Sequence, residues 1–495
     1  ADYKKNFNDR HDLSVMVGTS NESENYDRFT AKRINFDQQE NMSLQLGSAQ
    51  DQNAWSEGNQ WTINSFFSRV NYTFANKYVI EGTIRADGSS RFDPDHRWGW
   101  FPGVNAAWRV GEEGFMKRLG WFEDLKVRAS YGEMGNQSGI GLYDYIQLIS
   151  LSNDYYPFGA GMKGQMATSG NIISTSRTWE TIQTTNVGFD FSTLNNRLYG
   201  SFDYFWKENK NMLIPKTYPS MLGADAPSTN SGHLSIHGWE ISLGWRDQIK
   251  DFSYSVRFNI SDAKNKVVDR VGSNLIKLGN NETPTGYPLN SYFGYEFDGI
   301  IQNEQELEAY KSRFSEGGIP GDLSVGDAMY KDLDGDGKLS VLGDGKEGSG
   351  DVKYLGDKNP RYNFGFNLSM AWKGFDLSAF IQGVGRRTMF LEGESRCPMP
   401  EAWYQSAEYW YGKTWTPERT DAQYPAITLK DKRNYNYYVS TNTKFNVAYA
   451  RLKNLQFGYT IPQTLTSKAG LQKVRVYFSG EDLFEVHNTP NGWDP

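Results

Sequence analysis

Strict alternation of apolar and polar side chains, with cations on the polar side, constrains this chain more than any other feature. Residues 78–87 set Tyr78, Ile80, Gly82, Ile84 and Ala86 on one face, and Val79, Glu81, Thr83, Arg85 and Asp87 on the other. From Leu125 onward, Leu125, Val127, Ala129 and Tyr131 lie opposite Lys126, Arg128 and Ser130. Successive side chains of a strand point to opposite faces, so a period of two reads as strand. A soluble sandwich would have to bury Lys126 and Arg128, which is costly for unpaired charge, whereas a water-filled lumen leaves them hydrated. The pattern recurs with Trp239, Ile241, Leu243 and Trp245 against Glu240, Ser242 and Arg246. It recurs with Phe252, Tyr254, Val256, Phe258 and Ile260 against Ser253, Ser255, Arg257 and Asn259, and with Tyr362 to Trp372 against Asn363, Gly365, Asn367 and Ser369. Aromatic residues gather at strand ends, as the interfacial girdles of a membrane barrel require.

Composition fits the same reading. Aromatics make up 15% of the 495 residues and glycine supplies 50, yet the mean hydropathy is -0.67. A transmembrane antiparallel β-barrel reconciles these values, because its apolar side chains face lipid while polar ones fill the lumen. No stretch approaches about 18 consecutive apolar residues, so no helical span is expected. No basic leader with an apolar core opens the sequence, so such a leader is expected to lie upstream or to have been removed. The balance of 52 Lys and Arg against 59 Asp and Glu gives a net charge of -7, and without a basic run this weighs against nucleic-acid binding. Five His and a single Cys exclude an intrachain disulfide framework, and Cys397 reads as an inert loop residue.

The connections fall into two classes. Short links at 75–77, 195–196, 247–251, 373–374 and 461–472 suit periplasmic turns, and excursions near 20–61, 87–98, 132–178, 207–236, 262–360 and 387–444 suit extracellular loops. Thirteen strands are expected, near 12–19, 62–74, 77–87, 99–110, 124–133, 179–192, 197–207, 237–247, 252–262, 361–372, 375–386, 445–460 and 473–484. Strand direction reverses at each connection, which assigns 262–360 to an extracellular loop subdomain and 387–444 to a second, aromatic-rich loop. The first and last expected strands both run outward, whereas a closed single-chain barrel has an even number, so a further strand is expected after Pro495.

The most specific local pattern is Asp332-Leu-Asp334-Gly-Asp336-Gly337-Lys338, which places oxygen ligands at positions 1, 3 and 5 of a calcium loop and glycine at position 6. Position 12 is Gly343 rather than Glu, so Asp344 and the upstream Asp327 and Asp322 are the candidates to complete the shell. The spacing predicts a structural Ca2+ or Mg2+ held by Asp327, Asp332, Asp334, Asp336, Lys338 and Asp344, with Lys338 at the backbone-carbonyl position. Exposed aromatic faces stack on sugars or on a protein partner, which makes Trp403, Tyr409 and Trp410, together with Tyr155, Tyr156 and Phe158, candidate ligand contacts. The alternative for each is a loop packing on itself. The five His are scattered and no nucleophile–base motif occurs, so the chain is not expected to be an enzyme and no redox or organic cofactor is expected.

Several blocks resemble the SusC/RagA family of TonB-dependent outer-membrane transporters of Bacteroidetes. They are Arg85-Ala-Asp-Gly-Ser-Ser-Arg-Phe92 with Trp98 to Trp108, Leu125 to Gly132 with Gly135-Asn136, and Tyr330 to Gly337. Further blocks are Trp372 to Leu377, Arg451 to Leu455 with Gly458-Tyr-Thr, and Val476 to Gly480 with Asn491 to Pro495. The resemblance implies a barrel of roughly 22 strands in the whole protein, of which this chain would be the C-terminal barrel portion, with the plug and TonB box lying upstream. It also implies a SusD-like surface lipoprotein partner, a TonB–ExbB–ExbD complex engaged through the N-terminal region, surrounding outer-membrane lipid, and a dimer of SusC–SusD pairs.

The reading is therefore TonB-dependent import of a nutrient, foremost an oligosaccharide, across the outer membrane. The alternatives are peptide import of the RagA type and a non-transporting surface glycan-binding protein.

Overall fold

The computed structural model describes residues 1–494 other than 38–39, 41–42, 51, 158–162, 170–171, 216–220, 222–226, 271–278, 280–282, 343–349, 401–402 and 429–431. Fourteen strands follow one another in sequence order through a single sheet. All thirteen strands expected from alternation are present, and the additional one is Asp2–Phe7, paired antiparallel with His11–Lys32. Alternation missed it because all six of its residues are exposed. Its turn, however, is readable: Asn8 and Asp9 hold φ of 55° and 54°, the left-handed pair of a tight hairpin turn that favours Asn and Asp. No helix among the described residues is long and apolar enough to cross a membrane.

The chain divides into two compact units. The first comprises 1–106, 130–184 and 209–232. Within it the strands His11–Lys32 and Asn53–Phe74 pair over their whole length, from His11 with Phe74 to Lys32 with Asn53. This corrects the expectation of a loop over 20–61. Beyond Thr19 the alternation vanishes because polar residues occupy both faces, yet the backbone ladder continues without any apolar pattern to announce it. The opposite end turns at Ala75 and Asn76, both at positive φ, as the short link there requires. Tyr78, Ile80 and Ile84 stay exposed on the apolar face, alongside Val70 and Phe66 of the neighbouring strand. In a water-soluble protein such a band would be a liability, whereas in lipid it is the stabilising surface. A small core of Phe92, Phe101, Ile140 and Trp179 closes one edge of this unit.

The second unit comprises 107–129, 185–208 and 233–495. Its meander runs Phe252–Asp269, Arg361–Trp372, Phe375–Arg386, Tyr449–Ile461 and Val474–His487, each antiparallel to the next. Lys373 and Gly374 make the two-residue turn at positive φ. Residues of both long loops share one core, and a second core lies within 387–444. The shared core joins Tyr295, Ile301, Leu307, Tyr310, Leu323 and Tyr330 of the first loop to Tyr435 of the second. The helix Glu304–Lys311 is fixed by Asn303, whose side chain accepts the Glu306 N–H at 2.9 Å, and it turns Leu307 and Tyr310 into that core.

Candidate functional site

On the polar face of the second unit, Lys126 and Arg128 alternate on the strand Asp124–Asn136, so both point the same way. Arg128 lies between two carboxylates: its Nη1 and Nη2 donate to Asp203 at 2.5 and 2.7 Å, and its Nη2 donates to Asp190 Oδ1 at 3.1 Å. Lys126 Nζ reaches Asp190 Oδ2 at 2.7 Å. Two cations thus meet two anions, and the node is neutral. Arg246 donates to the Asn196 carbonyl and stacks over Tyr199 at 5.3 Å. Ser255, Ser369, Asp376 and Ser378, with Tyr254, Met370 and Leu377, line a recess of about 850 Å³ that also takes in Arg246 and Asp247. In the first unit Arg85 pairs with both oxygens of Asp87 at 2.7 and 2.8 Å and donates to Ser65 Oγ at 2.9 Å.

The loop subdomain carries the acidic segment. Asp332, Asp334 and Asp351 bring one carboxylate oxygen each to within 4.8 Å of one another. Asp332 accepts the N–H groups of Gly335 and Gly337, which shapes the turn, and Asp334 accepts that of Gly350 at 2.8 Å. Asp351 is fully buried and accepts the Leu333 and Ser340 N–H groups at 2.6 and 2.8 Å. Burial first, and then the charges of Asp334 and Asp332, push its carboxyl above the ordinary carboxylate range. Sequence spacing missed Asp351, which lies far beyond position 12 of the expected loop. Asp336 accepts the Lys338 N–H, and neither belongs to the trio. Asp327 is spoken for elsewhere: it is buried, accepting from Ser324 N–H and from Asn436 Nδ2 at 2.9 Å. Asp344 lies outside the described residues.

The aromatic candidates separate. Trp403 is 78% exposed, and Tyr411, left out of the candidate contacts, is 90% exposed. Tyr409 and Trp410 are instead buried with Leu391, Cys397, Tyr424 and Tyr437. The expectation that these two present free faces is corrected: their rings close the loop's own core, where burying large aromatic area is worth more than displaying it. The Tyr409 and Tyr424 hydroxyls bond at 2.6 Å, and Lys413 caps the Tyr409 ring at 3.5 Å. The side chains of Tyr155 and Tyr156, and all of Phe158, lie outside what the structure describes.

Comparison with known proteins gives a consistent result. Residues 1–483 match the family model of the TonB dependent receptor-like β-barrel. TonB-dependent receptor P3 of Formosa agariphila is 31% identical over 510 aligned residues, covering all of this chain and 48% of the relative. TonB-dependent receptor SusC of Bacteroides thetaiotaomicron is 27% identical, covering 90% of this chain and 42% of the relative. Among solved structures, the RagAB peptide transporter superposes with a TM-score of 0.78 at 22% identity, covering 99% of this chain and 51% of that one. The chain spans about half the length of the curated relatives it matches.

Proposed function

Because the chain belongs to the TonB-dependent receptor-like β-barrel family of the outer membrane, we propose that it forms part of an importer that moves an oligosaccharide inward together with a SusD-like lipoprotein. The observation that carries this reading is the pairing of an exposed apolar strand face with an opposite face of compensated charges such as Lys126–Asp190–Arg128–Asp203. A surface-binding module without a lumen gains nothing from that arrangement. The polar face serves passage through hydrated, interchangeable hydrogen bonds, and energy for uptake comes from TonB coupling through the region upstream. Trp403 and Tyr411 supply exposed rings on which a sugar can stack. Peptide import is the second reading, and the observation favouring it is the fold shared with the RagAB peptide transporter.

The acidic trio supports a structural cation of the Ca2+ class as part of the same reading. Its donors are all oxygens, as a hard cation prefers, and Asp351 is crowded by two like charges. Asp332, Asp334 and Asp351 would hold the ion, which supplies positive charge that locks the loop subdomain rather than any reaction chemistry.

The test is extraction of the intact protein from outer membranes in mild detergent, followed by mass spectrometry of everything that accompanies it. A stoichiometric surface lipoprotein with retained sugar supports glycan import, and retained peptide favours the second reading. Material that is water-soluble and unaccompanied overturns both.

A further inference from the structure

The junction between the loop subdomain and the strand ends carries more positive charge than its acids neutralise. Arg361 opens one strand and Arg386 closes the next, and the two are direct register partners. Like charges placed opposite one another are destabilising unless something else engages them. Arg361 is engaged: both oxygens of Asp262 take its guanidinium, Nη2 reaching Oδ2 at 2.5 Å. Asp357 also faces this place, and its Oδ2 accepts the Tyr354 hydroxyl at 2.8 Å. Among the described residues no carboxylate forms an ion pair with Arg386.

Two lysines join it. Lys444 begins the short ladder Lys444–Asn446, which pairs with Thr388–Phe390 just past Arg386. Lys353 comes from the strand Val352–Asp357, whose Gly356 packs so tightly on Thr388 that a β-carbon there would stand 2.4 Å from Oγ1. That close approach brings the Lys353 strand against the Arg386–Thr388 segment. Among the described residues Lys353 pairs with one acid, Glu296, and shares it with Lys331, whose Nζ lies 2.7 Å from it. Lys444 has none among the described residues. Packing around its ammonium, and then the charges of Arg386 and Lys353, hold Lys444 below the ordinary lysine range. The cations Lys331, Lys353, Arg361, Arg386 and Lys444 thus face Glu296, Asp262 and Asp357, with Asp298 also near Lys331 but itself paired with Arg313.

We propose that Lys353, Arg386 and Lys444 form a binding site for an oxyanion group, a carboxylate or sulfate ester, on the transported molecule, so that the substrate class is an acidic oligosaccharide. This rests on the import reading and narrows it. Arg386 supplies a planar fork matched to two oxygens of one group, and the two ammonium groups supply point charges around it. A neutral sugar would leave the cluster's repulsion unrelieved, whereas an anion on the substrate relieves it on binding.

The experiment uses the full-length transporter purified with its lipoprotein, and its probes are dextran sulfate and unsulfated dextran of equal length. Wild type and the doubly substituted Arg386→Gln/Lys444→Gln protein are compared by equilibrium binding at low and high salt. Heat-modifiable gel mobility verifies that both are folded. The expected result is dextran sulfate affinity about tenfold weaker in the variant, the scale of one charge-assisted hydrogen bond, with the difference shrinking in high salt. Binding of unsulfated dextran is unchanged. Equal dextran sulfate binding by both proteins, or none by either, overturns the site. Polyglutamate that binds with the same charge dependence while dextran sulfate does not would move the substrate class to acidic peptides and overturn the glycan assignment. TonB-dependent uptake, measured in parallel in cells, separates the two levels: uptake that persists while the site fails leaves the import reading intact.

Discussion

Gly135 lies directly against the ring of Phe101, so close that a β-carbon at 135 would stand 2.2 Å from Phe101 Cζ. The same ring meets Trp179 edge-on at 5.6 Å, and the Trp179 Nε1 donates to the Arg97 carbonyl at 3.0 Å. Gly135→Ala is therefore expected to overpack this edge and to cost about 1–3 kcal/mol. The measurement is the temperature at which the purified protein loses its heat-modifiable gel mobility. Combining Gly135→Ala with Phe101→Leu should restore part of the loss, and a double variant no better than the single would show that Phe101 is not the obstacle.

That contact also explains what was legible in the sequence. The blocks around Phe101 and around Gly135–Asn136 are distant in the chain and carried the family resemblance without a physical reason. In the structure they meet: Asn136 donates to Glu180 at 2.8 Å, and Glu180 in turn accepts the Leu213 N–H at 2.8 Å. Strands through the apolar band were readable because lipid imposes a period of two. Asp2–Phe7 and the polar upper part of His11–Lys32 were not, because the backbone ladder and polar side-chain pairs such as Asn6–Asp12, Glu24–Trp61 and Arg28–Glu57 hold them, with no apolar period. Aromatic burial was equally opaque: Trp403 and Trp410 are the same residue type in one loop, and only the fold sends one out and the other in. Asp351 joined the acidic trio through tertiary packing that ligand spacing could not anticipate.

Tyr310 and Tyr435 bond through their hydroxyls at 2.8 Å, which ties the two long loops into one core. Tyr310 Oη also accepts the Tyr330 N–H at 2.9 Å and donates to the Tyr330 carbonyl at 3.1 Å. Tyr310→Phe leaves buried backbone groups unpaired and should cost about 1–3 kcal/mol. Limited proteolysis on intact cells reads the outcome. New cleavage is expected in both 262–360 and 387–444, because the core is shared; cleavage confined to the first loop would contradict that sharing.

Calcium should raise the melting temperature of the loop subdomain most at neutral pH. The Asp351 carboxyl is pushed above the ordinary range, so the folded state holds its proton more tightly than the unfolded chain. Without metal, stability therefore falls as pH rises through the window between the ordinary and the raised value, and the penalty is complete above it. A cation removes that penalty and competes with the proton, so its effect should fade as pH drops into the window. Asp334→Asn, at the exposed member of the trio, should abolish the calcium effect, and without metal it should flatten the fall in stability with pH because one of the charges crowding Asp351 is gone. A calcium shift that survives in the variant would place the ion elsewhere.

Glu296 is held between Lys331 and Lys353, and these two lysines draw its carboxyl down to about 2. A depressed carboxyl contributes its stabilisation above the unfolded value of 4.5 and loses it as pH falls through the window towards about 2. Acid melting of the loop subdomain should accordingly steepen across that window in wild type, and Glu296→Gln should flatten it. The pair is solvent-accessible, so 1 M salt should remove much of the difference. A charge consequence runs in the opposite direction. Glu296→Gln releases Lys353 from its only acid among the described residues, so the same substitution that weakens the subdomain at neutral pH should tighten dextran sulfate binding at the junction. Stability and anion affinity moving together, rather than apart, would mean that Lys353 does not act at both places.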